Sequence, residues 1–285
     1  MVDGGKGMTA DSRRWAVITG ASAGLGADFA RQLAALDWHL ILVARRLDRL
    51  QALADEIRNA HRSTEVEVIA LDLGGDDAAP LLLERATARG RNVQMLVNNA
   101  GFGVYGPFEE LPWPRQHAMM NLNMMRLTEL CWHFVGHMRA HGQPSHVLNV
   151  GSMAAFQPTP FFAAYGATKA YVRNFTEALS WELRDTSVRV SCFSPGATRT
   201  EFADVAGVHI QPLADRTQMD SPDAVRRAVA GMLAGKAQIV PGWINHLNAL
   251  LTRLAPRRAL AWGAEIAVGG RAAMRSQRDR DGGTP

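Results

Sequence analysis

Tyr165 and Lys169 stand four residues apart in a chain that has only three tyrosines and, among its 31 basic residues, only three lysines. On a helix, positions i and i+4 share a face, so this spacing brings a phenol beside an ammonium. Free tyrosine has a pKa near 10, so at neutral pH about one phenol in a thousand is ionised, and an adjacent cation lowers that value. A phenol tuned in this way can give a proton to a carbonyl oxygen or take one from an alcohol, which is worth about 10² to 10⁴ in rate. The flanking residues, Phe161 to Ala164 and Ala170 to Val172, are apolar, which disfavours a solvated surface pair.

A second constellation, Thr19-Gly20-Ala21-Ser22-Ala23-Gly24-Leu25-Gly26, follows an apolar run and opens a helix expected to reach about Asp37. Glycines at such a turn let the backbone approach a pyrophosphate, whose charge meets free amides and the positive end of the helix dipole. Gly20, Ser22, Gly24, Leu25 and Gly26 are therefore candidate cofactor contacts. In this arrangement an acid about 20 residues further on receives the ribose 2′-hydroxyl of NAD. The next apolar run ends instead in Val43-Ala44-Arg45-Arg46. A guanidinium there suits a 2′-phosphate, through charge-assisted hydrogen bonds of about 1.5 to 3 kcal/mol. The expected cofactor is NADP(H) in preference to NAD(H), with Arg45 as the principal contact and Ser22 and Arg46 beside it.

These groups must be positioned by a regular frame, and the hydrophobic pattern supplies one. Apolar runs at Trp15 to Thr19, His39 to Ala44, Val66 to Leu71, Val93 to Val97, His146 to Val150, Val188 to Phe193 and Gln238 to Pro241 alternate with amphipathic segments. Continuous rather than alternating apolar runs suit strands covered on both faces. The expected fold is α/β: a Rossmann-type, doubly wound parallel sheet of about seven strands with helices on both faces. With 285 residues, 47% of them hydrophobic, the chain can bury a full core. Its expected organisation is a flexible tail over 1–13, one catalytic domain over 14–241, a helical extension over 242–275 and a disordered tail over 276–285.

On these residues the chain resembles the short-chain dehydrogenase/reductase family in its compact, non-extended branch. The likeness rests on the glycine turn, Asp72 after the third run, Asn98-Asn99-Ala100-Gly101 after the fourth, Asn123 in the next helix and Ser152 after the fifth run. Tyr165 with Lys169 and Pro195-Gly196-Ala197-Thr198-Arg199-Thr200 complete it, all in the family's order. The resemblance implies that Tyr165 is the acid/base, that Lys169 tunes it and bonds the nicotinamide ribose, that Ser152 bonds the substrate oxygen and that Asn123 holds a relay water. It places Asp72 near the adenine, Asn98, Ala100 and Gly101 along the cofactor, and Thr198 and Thr200 around the carboxamide, with Pro195 and Gly196 also among the cofactor contacts. One departure is Ala23, where NADPH users of this family often carry a basic residue. A non-catalytic dinucleotide sensor on the same fold is the alternative, although such sensors commonly lack the tyrosine or lysine. Sugar-nucleotide epimerases share the Tyr-x-x-x-Lys spacing, but they usually add a larger C-terminal domain.

Phe102, Tyr105, Met153, Phe156, Phe161, Phe162, Phe202, Val205, Val208 and Ile210 are expected to line an apolar pocket for a lipophilic carbonyl or secondary alcohol. His133, His137 and His141 have a spacing that can present imidazoles to a metal. A solvated helix end explains that row as well, and no metal is expected. Cys131 and Cys192 lie in apolar stretches and read as core. The polar N-terminus lacks a secretory pattern and no apolar run reaches spanning length, so a cytoplasmic protein is expected.

The net charge of +4 is matched by the segment from Arg253 onward, with seven arginines against three acids, which leaves no basic face for nucleic acid. Residues 242–270 carry Trp243, Ile244, Leu247, Leu250, Leu251, Leu254, Leu260 and Trp262 at helical spacing. This extension resembles the tail of DltE-like bacterial reductases. It is expected to pack on the domain or on a second subunit of a homo-oligomer, dimer or tetramer; peripheral membrane contact is the other reading.

Overall fold

The computed structural model describes residues 13–207, 218–252, 254–267 and 270. Most of the expected N-terminal tail, all of the C-terminal one, and the pocket candidates Val208 and Ile210 lie outside the described residues. Seven strands form one parallel sheet: β1 (Trp15–Thr19), β2 (His39–Ala44), β3 (Val66–Ala70), β4 (Val93–Asn98), β5 (Ser145–Val150), β6 (Val188–Phe193) and β7 (Gln238–Ile239). Their order is β3-β2-β1-β4-β5-β6-β7. The chain thus winds outward from β1 in one direction and then from β4 in the other. The crevice where the order reverses, at the carboxyl ends of β1 and β4, is where such sheets bind ligands.

The continuous apolar runs are explained by burial on both faces. In β1 the side chains alternate, with Ala16 and Ile18 in one core layer and Trp15 and Val17 in the other. The first layer is closed by α1 (Gly24–Ala34), α2 (Leu47–Ala60) and, after the connections described below, the helix Ser221–Leu233. The second is closed by α3 (Ala78–Thr87), α5 (Leu127–His141) and α6 (Ala163–Glu182). Between these, α4 (Trp113–Met120) runs through a π-helical turn, Asn121–Arg126, directly into α5. A short α7 (Phe202–Ala206) follows β6, Ser221–Leu233 is α8, and α9 (Trp243–Leu251) and α10 (Arg257–Ala267) follow β7.

Helix α1 stops at Ala34 rather than near Asp37, which has φ +59, a left-handed conformation that ends the helix before β2. The histidine row is used structurally. His137 Nε2 accepts from Val93 N at 3.1 Å, His141 Nε2 lies 3.1 Å from Val93 O, and the His133 ring meets Trp132 edge-on at 4.7 Å. Cys131 and Cys192 are buried free thiols, and burial raises them to about 12 and about 11.

The extension departs from expectation. Helix α9 turns Ala249 inward, while Trp243, Ile244, Leu247, Leu250 and Leu251 face out; Leu254 and, on α10, Trp262 are exposed as well. Only Leu260 of the eight large apolar residues is partly covered. The expected packing of this stripe on the domain is therefore corrected: the inward face is lined by small or polar residues, and the large ones point away from the sheet.

A buried polar chain links the central strands to α6. Asn98 Nδ2 donates to Asn149 Oδ1 at 3.0 Å, Asn149 Nδ2 donates to Thr176 Oγ1 at 3.0 Å, and Thr176 donates to Val172 O at 2.6 Å. Thr176→Val keeps the shape but leaves the Asn149 amide unpaired in the core. It is expected to cost about 1 to 3 kcal/mol of stability, read as a lower urea midpoint at unchanged m-value.

Candidate active site

The turn after β1 cannot be built without glycine. Gly20 and Gly24 have φ of +66 and +54, and a Cβ on Gly26 would lie 2.2 Å from Gly20 O. Thr19 braces this turn: its hydroxyl donates to Val97 O at 3.2 Å and accepts from the amides of Asn99 and Ala100 at 3.0 Å each. Asn99 Nδ2 donates to Thr19 O at 3.0 Å and to Gly20 O at 3.2 Å. Asn99 is thus a supporting residue that motif reading passed over, although it stands inside the Asn98 to Gly101 run. Asn98, expected along the cofactor, is buried, and its amide nitrogen joins β4 to β5 and to the Leu127 carbonyl.

At the end of β2, Arg46 donates from Nε and Nη2 to Ser22 Oγ at 3.3 and 3.1 Å. Its Nη1 and that of Arg49 reach the two oxygens of Glu201 at 3.2 and 2.6 Å. Arg45 is exposed, with no ion pair among the described residues. The guanidinium held at the glycine turn is therefore Arg46, and Arg45 is free to turn toward a ligand. Glu201, beside its two guanidinium partners, is held below the usual carboxylate range. No sequence motif singled it out, because its partners are about 150 residues away. Asp72 is exposed after β3 and accepts from Gly74 N at 3.0 Å.

Helix α6 brings Tyr165 and Lys169 to the carboxyl end of β5. Lys169 Nζ donates to Val150 O at 2.7 Å and lies 5.8 Å from the Tyr165 ring centroid. Ser152, two residues beyond Val150, accepts from Ala154 N at 3.1 Å and stands beside the phenol. Both α6 side chains are 7% exposed. Burial pushes Tyr165 up to about 12, opposed by Ser152, and pulls Lys169 down to about 8. Burial thus sets the direction at the phenol, and Tyr165 stands as a protonated acid at neutral pH.

Asn123, in the π-helical turn, donates to Phe102 O at 3.0 Å and Thr168 Oγ1 at 3.1 Å and accepts from Phe102 N at 3.2 Å. Its amide ties the backbone at Phe102 to helix α6 and so holds the π-helical turn in place beside the site. A Cβ on Gly101 would lie 2.8 Å from Asn123 Oδ1 and 3.8 Å from Lys169 Nζ, so all three meet at one point.

The connection after β6 closes the crevice from above. Met153 N donates to Pro195 O at 2.9 Å, Thr198 Oγ1 donates to Gly196 O at 3.0 Å, and Thr200 lies over Gly24, 3.1 Å from where its Cβ would be. Aromatic rings wall the phenol: Phe162 at 5.3 Å and Phe202 at 5.4 Å from Tyr165, with Tyr105 at 5.1 Å from Phe162 and 6.2 Å from Phe161. Phe102 packs in the same cluster. Of the other pocket candidates, Phe156 lies under Arg173 at 4.4 Å and Val205 is exposed.

The model of the short chain dehydrogenase family matches residues 14–209. The chain belongs to the short chain dehydrogenase family. As a short chain dehydrogenase it is an NAD(P)-dependent oxidoreductase. Sulfoacetaldehyde reductase 2 of Chromohalobacter salexigens is 31% identical over 249 residues, which is 87% of this chain and 96% of that protein. A short-chain dehydrogenase of Sphingobium yanoikuyae in complex with NADPH shares 30% identity at a TM-score of 0.75, over 85% of this chain and 93% of the other. One from Burkholderia phymatum in complex with NAD shares 26% at 0.74, over 85% and 92%.

The geometry at the turn sets a sharp limit on substitution. In Gly26→Ala the added methyl meets backbone rather than a flexible side chain, so α1 must shift away from β1. About 1 to 3 kcal/mol of overpacking is expected. Differential scanning calorimetry should show a melt several degrees lower, with a loss of about tenfold or more in nicotinamide-dinucleotide affinity.

Proposed function

We propose that this protein is an NADP(H)-dependent carbonyl reductase acting on hydrophobic ketones or aldehydes, reversibly with secondary alcohols. The observation that carries the reading is Tyr165, Ser152 and Lys169 gathered at the end of β5, across the crevice from the glycine turn that opens α1. The turn at Gly20 to Gly26 would hold the pyrophosphate of a nicotinamide dinucleotide, which when bound would supply the hydride for the carbonyl carbon. Ser152 Oγ hydrogen-bonds the carbonyl oxygen and orients it toward the phenol. Tyr165 Oη gives that oxygen its proton, for which a phenol near 12 is in the correct state at neutral pH. Lys169, charged below about 8 and anchored on Val150 O, contributes a positive charge beside the oxyanion that develops and is placed to bond the ribose.

Substrate class follows from the wall. Phe102, Tyr105, Phe162 and Phe202 around Tyr165 suit a bulky apolar carbonyl better than a small sulfonate such as the relative's name describes, which would call for a cation among them. Exposed Trp132 on α5 and Trp181 on α6 offer an apolar face for a second copy, in keeping with a homo-oligomer.

Tyr165→Phe removes only the ionisable oxygen. NADPH oxidation with a panel of aromatic and aliphatic ketones should fall by about 10² or more while NADPH affinity stays within a few fold. Near-normal turnover would overturn the mechanism, and a wild-type protein that binds NADPH but reduces none of the panel would favour the sensor. In the same assay, kcat/KM should decline as pH rises through about 8, where Lys169 loses its charge, and Lys169→Arg should move that limb upward.

Cofactor preference can be read separately by calorimetric titration. Arg45→Asp should weaken NADPH far more than NADH, because it puts a negative charge beside the phosphate. Glu201→Gln should act in the opposite sense and tighten NADPH several fold, since it frees Arg46 and Arg49 from a competing carboxylate. Wild-type preference for NADH would remove the assignment.

A further inference from the structure

Helix α9 is amphipathic in the reverse sense for a helix at the surface of a soluble domain. Its inward face consists of Asn245, which donates to Pro241 O at 2.9 Å and lies against Gly196, and of buried Ala249. Its large apolar residues, Trp243, Ile244, Leu247, Leu250 and Leu251, continue to Leu254 at steps of one and three, which makes one stripe. That stripe faces away from the protein, with Trp243 76% and Leu254 85% exposed. Helix α10 repeats the arrangement: Ala264 is buried, while Trp262 and Ile266 are exposed. Arg257 and Arg258 open α10 at the surface, with no ion pair among the described residues. The segment from Trp243 to Gly270 holds a single acid, Glu265.

We propose that α9 and α10 dock on an anionic lipid surface, lying in its plane. An apolar stripe flanked by tryptophans and rimmed by arginines, with almost no carboxylate, is the chemistry of an interfacial helix. Phosphate headgroups would meet the guanidinium groups, and the tryptophans would sit at headgroup depth. No helix among the described residues is long and apolar enough to cross a membrane, so the contact is peripheral. A second copy of this chain fits the face less well. Paired with its own copy, this segment would set its arginines against a surface whose segment from Trp243 to Gly270 holds one carboxylate, Glu265. The docked face adjoins the site, because Asn245 abuts Gly196 at the start of the connection that carries Thr200 and Phe202 over the crevice. Docking here does not depend on the reaction assigned to Tyr165.

The test is co-sedimentation of the full chain, without cofactor or substrate, with vesicles of phosphatidylcholine alone or mixed equally with phosphatidylglycerol. Wild type should bind the mixed vesicles about tenfold more tightly than the neutral ones and be released by high salt. Leu247→Glu with Leu254→Glu, and separately Arg257→Glu with Arg258→Glu, should each lose about tenfold or more of that binding. Melting temperature and light-scattering mass should stay unchanged, since all four side chains are exposed. Equal binding to both vesicle types, or none, overturns the proposal. So does a fall in mass in the leucine pair, which would assign the stripe to a second copy.

Discussion

The 2.7 Å hydrogen bond from Lys169 Nζ to Val150 O joins the last residue of β5 to the second turn of α6, and the reactive arrangement depends on it. An ammonium so deeply buried must be compensated, because desolvation of a cation costs several kcal/mol. The carbonyl at a strand's carboxyl end is a natural acceptor, since the ladder no longer uses it. Once Lys169 is fixed, Tyr165 one turn earlier on the same face is fixed too, and Ser152, two residues past Val150, falls beside its oxygen. Three groups from two elements thus share one anchor. The polar chain from Asn98 through Asn149 to Thr176 holds the same strand and helix together from below.

The crevice is framed by contacts between segments far apart in sequence. Thr200 lies over Gly24, Glu201 bridges Arg46 and Arg49, and Phe202 packs against Tyr165. Three consecutive residues after β6 therefore touch the glycine turn, the arginines after β2 and the buried phenol. Individually these exposed contacts are weak. Being adjacent on one short stretch, they couple the three: a ligand that displaces Glu201 acts on the segment that also carries Phe202.

Much of this was legible in the residues. The seven apolar runs correspond to seven strands, because parallel strands buried on both faces need continuous apolar sequence, and the differences are of one or two residues at their ends. Gly20, Gly24 and Gly26 were readable because only glycine tolerates that backbone, and Tyr165 with Lys169 because helical periodicity is local. Long-range pairing was not readable: Glu201 meets its arginines, and Asn123 meets Phe102 and Thr168, only through the fold. The exposure of the α9 stripe was hidden for a different reason. Periodicity reveals that a helix has an apolar face, but not which way the face is turned.

The π-helical turn at Asn121–Arg126 carries a consequence for how this chain tolerates change in length. A π turn accommodates one residue more than the α-helical turn it replaces, and each residue of a helix advances the face by about 100°. Helices α4 and α5 therefore run in continuous chain but out of phase: Met119 of α4 points to the aromatic cluster, while Leu127, Leu130 and Phe134 of α5 point to the sheet. Deleting one residue there would restore regular winding and swing Asn123 a quarter turn or more from Phe102 and Thr168. The turn is a phase adaptor, which lets one continuous rod serve two cores with unrelated periodicities.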